Sequence, residues 1–160
     1  MLVKEVMTRD VITCAPAEPL AAIVKLMGEK DISGLPVVDH GKLVGIITEG
    51  DIMKILAGRD EQRSLWLPSP FEVLLEMPFR DIIELRRLQE SFRDVGEKPV
   101  RDVMTKDVVV IEPENDIEDA ASLMVRYKIN RLPVVENLRN RKLVGVITRE
   151  DIIQSLGGKK

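Results

Sequence analysis

Apolar and polar positions along the chain fall into the same order twice. Leu20, Ile23, Val24 and Met27 recur at i, i+3, i+4 and i+7, and so do Ile117, Ala120, Ala121 and Met124. That spacing draws one apolar stripe down a helix and predicts a helix lying on a sheet at each place. Ahead of the helices, Val11 to Thr13 and Val108 to Ile111 are β-branched runs that read as short strands. Behind them, Leu35 to Val38 and Leu132 to Val135 read as buried strands, with a proline near each start, where ladder bonds are least needed. His40-Gly41 and Asn137 to Arg141 read as hairpin turns, and Leu43 to Ile47 and Leu143 to Ile147 as returning strands. Ile52, Ile55 and Leu56, then Ile152, Ile153 and Leu156, mark a second helix in each copy.

Each copy therefore predicts β-α-β-β-α. A shift of 97 (Val100 − Val3) overlays the two, and it becomes 100 (Lys142 − Lys42) after the hairpin. The three extra residues lie within Glu136 to Arg141, a polar turn of the kind that tolerates length change. A period near 100 is too long for a solenoid and reads as one supersecondary unit duplicated. A unit of about 50 residues has little core of its own, so two copies are expected to pack sheet against sheet. The fold class is α/β (α+β), with residues 1–56 as the first unit and 99–160 as the second.

Residues 57–98 match neither copy. Ser64 to Pro70 is an apolar loop with two prolines, where Trp66 reads as a packing anchor, and Phe71 to Met77 is apolar enough for a helical turn or two. From Pro78, Phe79, Ile82, Leu85, Leu88 and Phe92 recur every three or four residues, and Asp94 to Glu97 ends the run. This predicts a helical arm packed on its own core, meeting a second chain, or covering a ligand.

Composition narrows the function. The net charge of −3 gives no global basic field to hold nucleic acid, although Arg126, Lys128, Arg131, Arg139, Arg141 and Lys142 make the second unit locally basic. At 3% aromatic residues there is no stacking platform for single strands. No apolar run approaches the roughly 20 residues of a membrane span, and Lys4, Glu5, Arg9 and Asp10 interrupt any signal-peptide core. One cysteine, Cys14, and one histidine, His40, argue against disulfides, metal sites and Cys/His catalysis. The expected location is the cytoplasm. No GxxxxGK(S/T), GxSxG or HExxH pattern points to an enzyme.

The candidate chemistry sits in a repeated heptad, Gly45-Ile46-Ile47-Thr48-Glu49-Gly50-Asp51 and Gly145-Val146-Ile147-Thr148-Arg149-Glu150-Asp151. Thr and Asp three apart at the start of a helix have the spacing of a capping box. A helix N-terminus favours anions. A threonine hydroxyl there can serve a phosphate, and an aspartate can accept two hydrogen bonds from a ribose diol. Read alone, each pair does no more than cap its helix.

Taken together, Val-Met-Thr at residues 6–8 and 103–105, Leu-Pro-Val-Val at 35–38 and 132–135, and Gly-x-x-Thr-x-x-Asp at 45–51 and 145–151 resemble a tandem pair of CBS domains, or Bateman module. The resemblance covers residues 3–56 and 100–156 and says little about the arm between them. It implies two β-α-β-β-α units packed about a pseudo-twofold through their sheets. It also implies clefts for adenosine-containing ligands: AMP, ADP, ATP or S-adenosylmethionine. In one cleft, Thr148, Arg149 and Asp151 would face Thr8, Val11, Ile12, Ile32 and Ser33. In the other, Thr48 and Asp51 would face Thr105, Val108, Val109, Ile129, Asn130 and Arg131. Arg131 would meet phosphate in the Asp51 cleft against the charge of Glu49, while the Asp151 cleft has Arg149, with Gly34 opposite. A coulombic term of ~1 kcal/mol changes occupancy several-fold, and Thr8, Ser33, Thr148 and Arg149 tip the expectation toward an anion at Asp151.

The function implied is a non-catalytic regulatory module, with the nucleotide as regulatory ligand and no catalytic cofactor. It would signal to an effector protein and assemble as a homodimer, the latter resting on family habit and on the arm's apolar face. The alternatives are an interaction module with vestigial clefts, and a nucleic-acid-binding member of the family, against which the acidic balance counts.

Overall fold

The computed structural model describes residues 1–58, 89–90 and 92–158. The first unit holds α2 (Leu20–Lys30), β1 (Gly34–Asp39), β2 (Lys42–Thr48) and α3 (Glu49–Gly58), after a one-turn α1 (Val3–Val6). The second holds α4 (Ile117–Tyr127), β3 (Arg131–Val135), β4 (Leu143–Thr148) and α5 (Arg149–Leu156), after a 3-10 turn at Val100–Asp102. The apolar stripes decide which helix faces are covered: Leu20, Ile23 and Met27 are buried on α2, and Ile117, Ala120 and Met124 on α4.

In each unit the two strands pair antiparallel, with a bulge at the same place, between Val37 and Val38 and between Val134 and Val135. His40 and Gly41 turn the first hairpin with φ of 49° and 80°. Two positive φ values in a two-residue loop match the right-handed twist of the flanking strands.

The predicted first strand of each unit contracts to a single parallel bridge, Cys14 to Val37 and Ile111 to Val134. Cys14 N–H donates to Pro36 O at 3.1 Å and Val38 N–H to Cys14 O at 2.8 Å. Proline follows two residues on in each copy (Pro16, Pro113) and can donate to no ladder, which limits this edge. Cys14 fills in one unit the place of Ile111 in the other, and burial pushes its thiol up to about 12, with Glu18 adding to the shift.

Each unit completes its core with the leader of the other. Val3 and Met7 lie in one core with Ile117, Leu132 and Ile147. Val95 and Val100 lie in the other with Leu20, Leu35 and Ile47. Backbone bonds clip the leaders down in matching fashion: Val3 N–H to Asn115 O and Val100 N–H to Glu18 O, both 2.9 Å. The sequence boundaries at 56 and 99 therefore do not separate the cores. Two-way bridges join Thr8 to Val146 and Thr105 to Ile46 across the units at 2.9–3.0 Å.

This exchange gives two repeated glycines a physical reason. A Cβ on Gly45 would stand 2.5 Å from Met104 Sδ and 3.0 Å from Thr105 O. On Gly145 it would stand 2.6 Å from Met7 Sδ and 3.0 Å from Thr8 O. Val-Met-Thr of one half thus docks on the glycine of Gly-x-x-Thr in the other, and only a bare α-carbon leaves room.

Of the arm, the structure describes the helical residues 92–96, with Phe92 and Val95 packed on the first unit's core. The apolar loop with Trp66, the run from Phe71 to Met77 and the positions Phe79, Ile82, Leu85 and Leu88 of the expected helical run lie outside the described residues.

Candidate functional site

The strand-to-helix turn of each unit carries the repeated Thr and Asp. Thr48 N–H donates to Asp51 Oδ2 at 2.9 Å, and Thr48 Oγ1 donates to the same oxygen at 3.0 Å. Asp51 N–H in turn donates to Thr48 Oγ1 at 3.3 Å. The second copy matches, with 2.7, 2.7 and 3.2 Å at Thr148 and Asp151. Both pairs are capping boxes, and each threonine hydrogen is committed to the aspartate. The threonines therefore orient a carboxylate rather than present a hydroxyl to phosphate. With two donors already on Oδ2, Oδ1 is the oxygen left to recognise anything else.

All eight residues expected in the Asp51 cleft line one cavity of about 480 Å³: Thr48, Asp51, Thr105, Val108, Val109, Ile129, Asn130 and Arg131. Small-molecule sites occupy roughly 300–1,000 Å³, so the volume is adequate. Thr105 Oγ1 donates to Asp51 Oδ1 at 2.9 Å, so the Met104–Gly45 docking delivers one threonine onto the other unit's carboxylate. Ile46, Glu49, Gly50, Lys54, Asp107, Lys128 and Pro133 also line this cavity, as does Ser33, which was expected on the Asp151 side.

The Asp151 side is divided. Thr8, Val11, Ile12, Ile32 and Thr148 line a hollow of about 250 Å³ with Asp10, Gly34, Pro36, Ile46, Arg131, Pro133 and Val146. Asp151 opens instead on a neighbouring hollow of about 600 Å³, with Met1, Glu5, Val6, Gln154, Ser155 and Gly158. The 2.7 Å bonds from Thr148 to Asp151 join the two. Arg149 is exposed and lines neither. Among the described residues no protein group bonds Asp151 Oδ1.

Arg131 starts β3 opposite Thr148 and reaches into the first unit. Its Nη1 donates to Gly34 O at 2.7 Å, and its Nη2 to Ser33 Oγ. Burial pushes its pKa down and the Glu49 carboxylate pushes back; guanidinium remains charged through such shifts. The sequence-based preference for an anion at Asp151 counted Ser33 and Arg149 there, and neither lines that side. Ser33 lines the 480 Å³ cavity, Arg131 lines both that cavity and the 250 Å³ hollow, Arg149 lines none of the three, and Glu5 and Asp10 add negative charge to the Asp151 side.

The residues that sequence reasoning missed carried usable signals. Lys54 lies three residues past Asp51, on the same helix face. Asp10 and Asp107 recur in the repeated Asp-Val, and Pro36 and Pro133 in the repeated Leu-Pro-Val-Val.

A duplicated β-α-β-β-α unit with exchanged leaders and a cleft on either side of its pseudo-twofold is the architecture of a CBS-domain pair. The chain belongs to the CBS domain family, which matches it over residues 3–58 and 100–158. It is 40% identical over 157 residues to the uncharacterized protein MJ1426 of Methanocaldococcus jannaschii, spanning 98% of this chain and 91% of that one. It is 32% identical to an inosine-5′-monophosphate dehydrogenase of Korarchaeum cryptofilum, of which it spans only 22%. Among solved structures it resembles the CBS domain pair of protein MJ0100 in complex with 5′-methylthioadenosine and S-adenosyl-L-methionine: TM-score 0.69, 29% identity, 100% of this chain and 98% of that one. CBSX2 of Arabidopsis thaliana in complex with AMP superposes with a TM-score of 0.68 at 25% identity, over 97% and 95% of the two chains. Among the described residues no helix is long and apolar enough to cross a membrane, and no cluster of His, Cys, Asp or Glu could hold a metal.

Proposed function

We propose that this chain is a non-catalytic sensor that binds an adenosine-containing ligand between its two units and passes the resulting change in packing to a partner protein. The observation that carries the reading is the 480 Å³ cavity, where the Asp51 carboxylate of one unit meets Thr105, Val108, Ile129 and Arg131 of the other. Val108, Val109 and Ile129 offer apolar walls for adenine. Asp51 Oδ1 offers an acceptor for a ribose hydroxyl. The N-terminus of α3, with Lys54, Lys128 and Arg131, offers positive charge for phosphate. AMP in CBSX2 and S-adenosylmethionine in MJ0100 support the ligand class.

A ligand touching both units stabilises the arrangement it prefers by its differential affinity, and the partner reads that shift. The partner is an effector protein, and the chain works as a homodimer. The test is mass spectrometry of small molecules released from the purified protein, then calorimetric titration with AMP, ADP, ATP and S-adenosylmethionine. At least one should bind, and saturating ligand at about 100 times its Kd should add about 2.7 kcal/mol of stability. Failure of every one at millimolar concentration selects the alternative of an interaction module with vestigial clefts.

A further inference from the structure

Arg131 lines both the 480 Å³ cavity at Asp51 and the 250 Å³ hollow at Thr148. Its counterpart by the repeat is Gly34, whose carbonyl it holds, so the second unit supplies a guanidinium and the first supplies none. The geometry points to a division of labour resting on the adenosine-binding reading: the Asp51 cleft takes a phosphorylated adenosine, and the Asp151 cleft takes an uncharged one. Two phosphorylated ligands are not held together with equal strength.

Three observations support the split. The first is the charge around each cleft. Lys54, Lys128 and Arg131 line the Asp51 cavity against Glu49, Asp51 and Asp107, in front of the ten-residue helix α3. On the other side Arg131 is the only cation among the described residues lining the 250 Å³ hollow, which Asp10 also lines, and Glu5 joins Asp151 in the adjoining space, where the Met1 ammonium lies 3.8 Å from Asp116. A phosphate there meets carboxylates in a partly desolvated site, where like charges are penalised more than in water.

The second is the geometry of Arg131. Its fork spends one donor from each terminal nitrogen on Gly34 O and Ser33 Oγ. A single positive charge thus serves the walls of both cavities, so an anion that neutralises it from one cleft weakens its pull on a second anion in the other. Burial already depresses its pKa, so the charge has been stripped of water and gains from an anion brought to it.

The third is the carboxylates. Asp51 Oδ1 already accepts from Thr105, whereas Asp151 Oδ1 has no protein partner among the described residues. Its two lone pairs are free for a 2′,3′-diol. A nucleoside without phosphate relies on its base and diol and so suits the Asp151 side. A nucleotide has its phosphate as well and suits the Asp51 side.

The test is calorimetric titration of the whole chain with AMP and with adenosine, separately and in sequence. The expected result is one AMP bound, adenosine then adding one equivalent to the AMP-saturated protein, and any second AMP at least about tenfold weaker than the first. Asp51→Ala should remove the strong AMP site and spare adenosine, and Asp151→Ala should do the reverse. Arg131→Met should weaken the AMP site by about tenfold or more, the worth of charge-assisted hydrogen bonds, and weaken adenosine by a clearly smaller factor. Arg131→Lys keeps the charge, so it should recover part of the AMP affinity if Arg131→Met is folded, as judged by circular dichroism, and should stand in for it if not. Two AMP molecules bound with equal affinity, AMP affinity indifferent to both Arg131 variants, or the reversed pattern in the aspartate variants overturns the division while leaving the adenosine reading intact. Absence of binding by both ligands overturns the division, and the adenosine reading falls with it only if ADP, ATP and S-adenosylmethionine fail as well.

Discussion

Asp51 and Asp151 occupy equivalent turns, tied by the same three bonds to Thr48 and Thr148, yet their free oxygens meet different surroundings. Oδ1 of Asp51 accepts from Thr105 of the other unit, while Thr8, the counterpart of Thr105, makes no such bond to Asp151. The neighbours differ as well: Lys54, Lys128 and Ser33 on one side and Glu5 on the other, while Asp107 and Asp10 match. The shared motif builds a helix cap and a pointed carboxylate. What that carboxylate can recognise is set by residues at which the two copies have diverged, and one of them, Arg131, reaches from its own unit to the wall of both clefts. Equivalence of backbone thus coexists with inequivalence of charge, because a handful of side chains decides the local field while dozens decide the fold.

The comparison can be broken at the docking that both clefts share. Gly45→Val and Gly145→Val should each cost about 2–3 kcal/mol, the scale of overpacking against a methionine and a backbone carbonyl. Chemical denaturation would read it, with Gly28→Ala as a control that loses nothing, since no atom lies within 4 Å of its added methyl. Equal costs at the two glycines would show that the exchange is symmetric in energy as it is in geometry.

The exchange itself predicts that damage crosses the repeat. Val3→Ala should cost about 2 kcal/mol, from two lost methyls and the space they leave. Hydrogen exchange should quicken at α4, β3 and β4 rather than at the elements that follow Val3 in sequence. Val100→Ala should do the opposite and loosen α2, β1 and β2. Protection lost within the variant's own sequence half would contradict the shared cores.

The smallest effect sharpens the contrast between the carboxylates. Thr105→Val removes the donor to Asp51 Oδ1 and should lower stability by about 1 kcal/mol, the net worth of such a bond. Thr8→Val, isosteric and at the equivalent place, should leave the denaturation midpoint within error. In Thr105→Val the Asp51 cleft gains a free acceptor and should bind adenosine more tightly than the parent, which the same titrations would measure.

Much of the fold was legible in the chain because its periods are short-range. The i, i+3, i+4, i+7 stripes placed α2 and α4, and the paired apolar runs around His40-Gly41 placed β1 and β2, since helix and hairpin geometry depend on neighbours a few residues apart. The first strands are shorter than their composition predicts: Val11 to Thr13 is β-branched, but only Cys14, two residues before Pro16, pairs. Repetition of the Thr and Asp drew attention to the right turns, yet both threonine hydrogens turned out to serve the cap.

By itself the sequence determined the duplicated β-α-β-β-α unit, the bare glycines of the repeated heptads and the residue types at each turn. Only the tertiary structure decided that each leader completes the opposite core, that Ser33 joins the Asp51 cavity, that Arg131 also reaches the Thr148 hollow, and that Arg149 lines neither side. The reason is physical: local pattern follows from backbone geometry over a few bonds, whereas the charge in a cleft is summed over side chains that are distant in sequence and brought together only when the two cores close on one another.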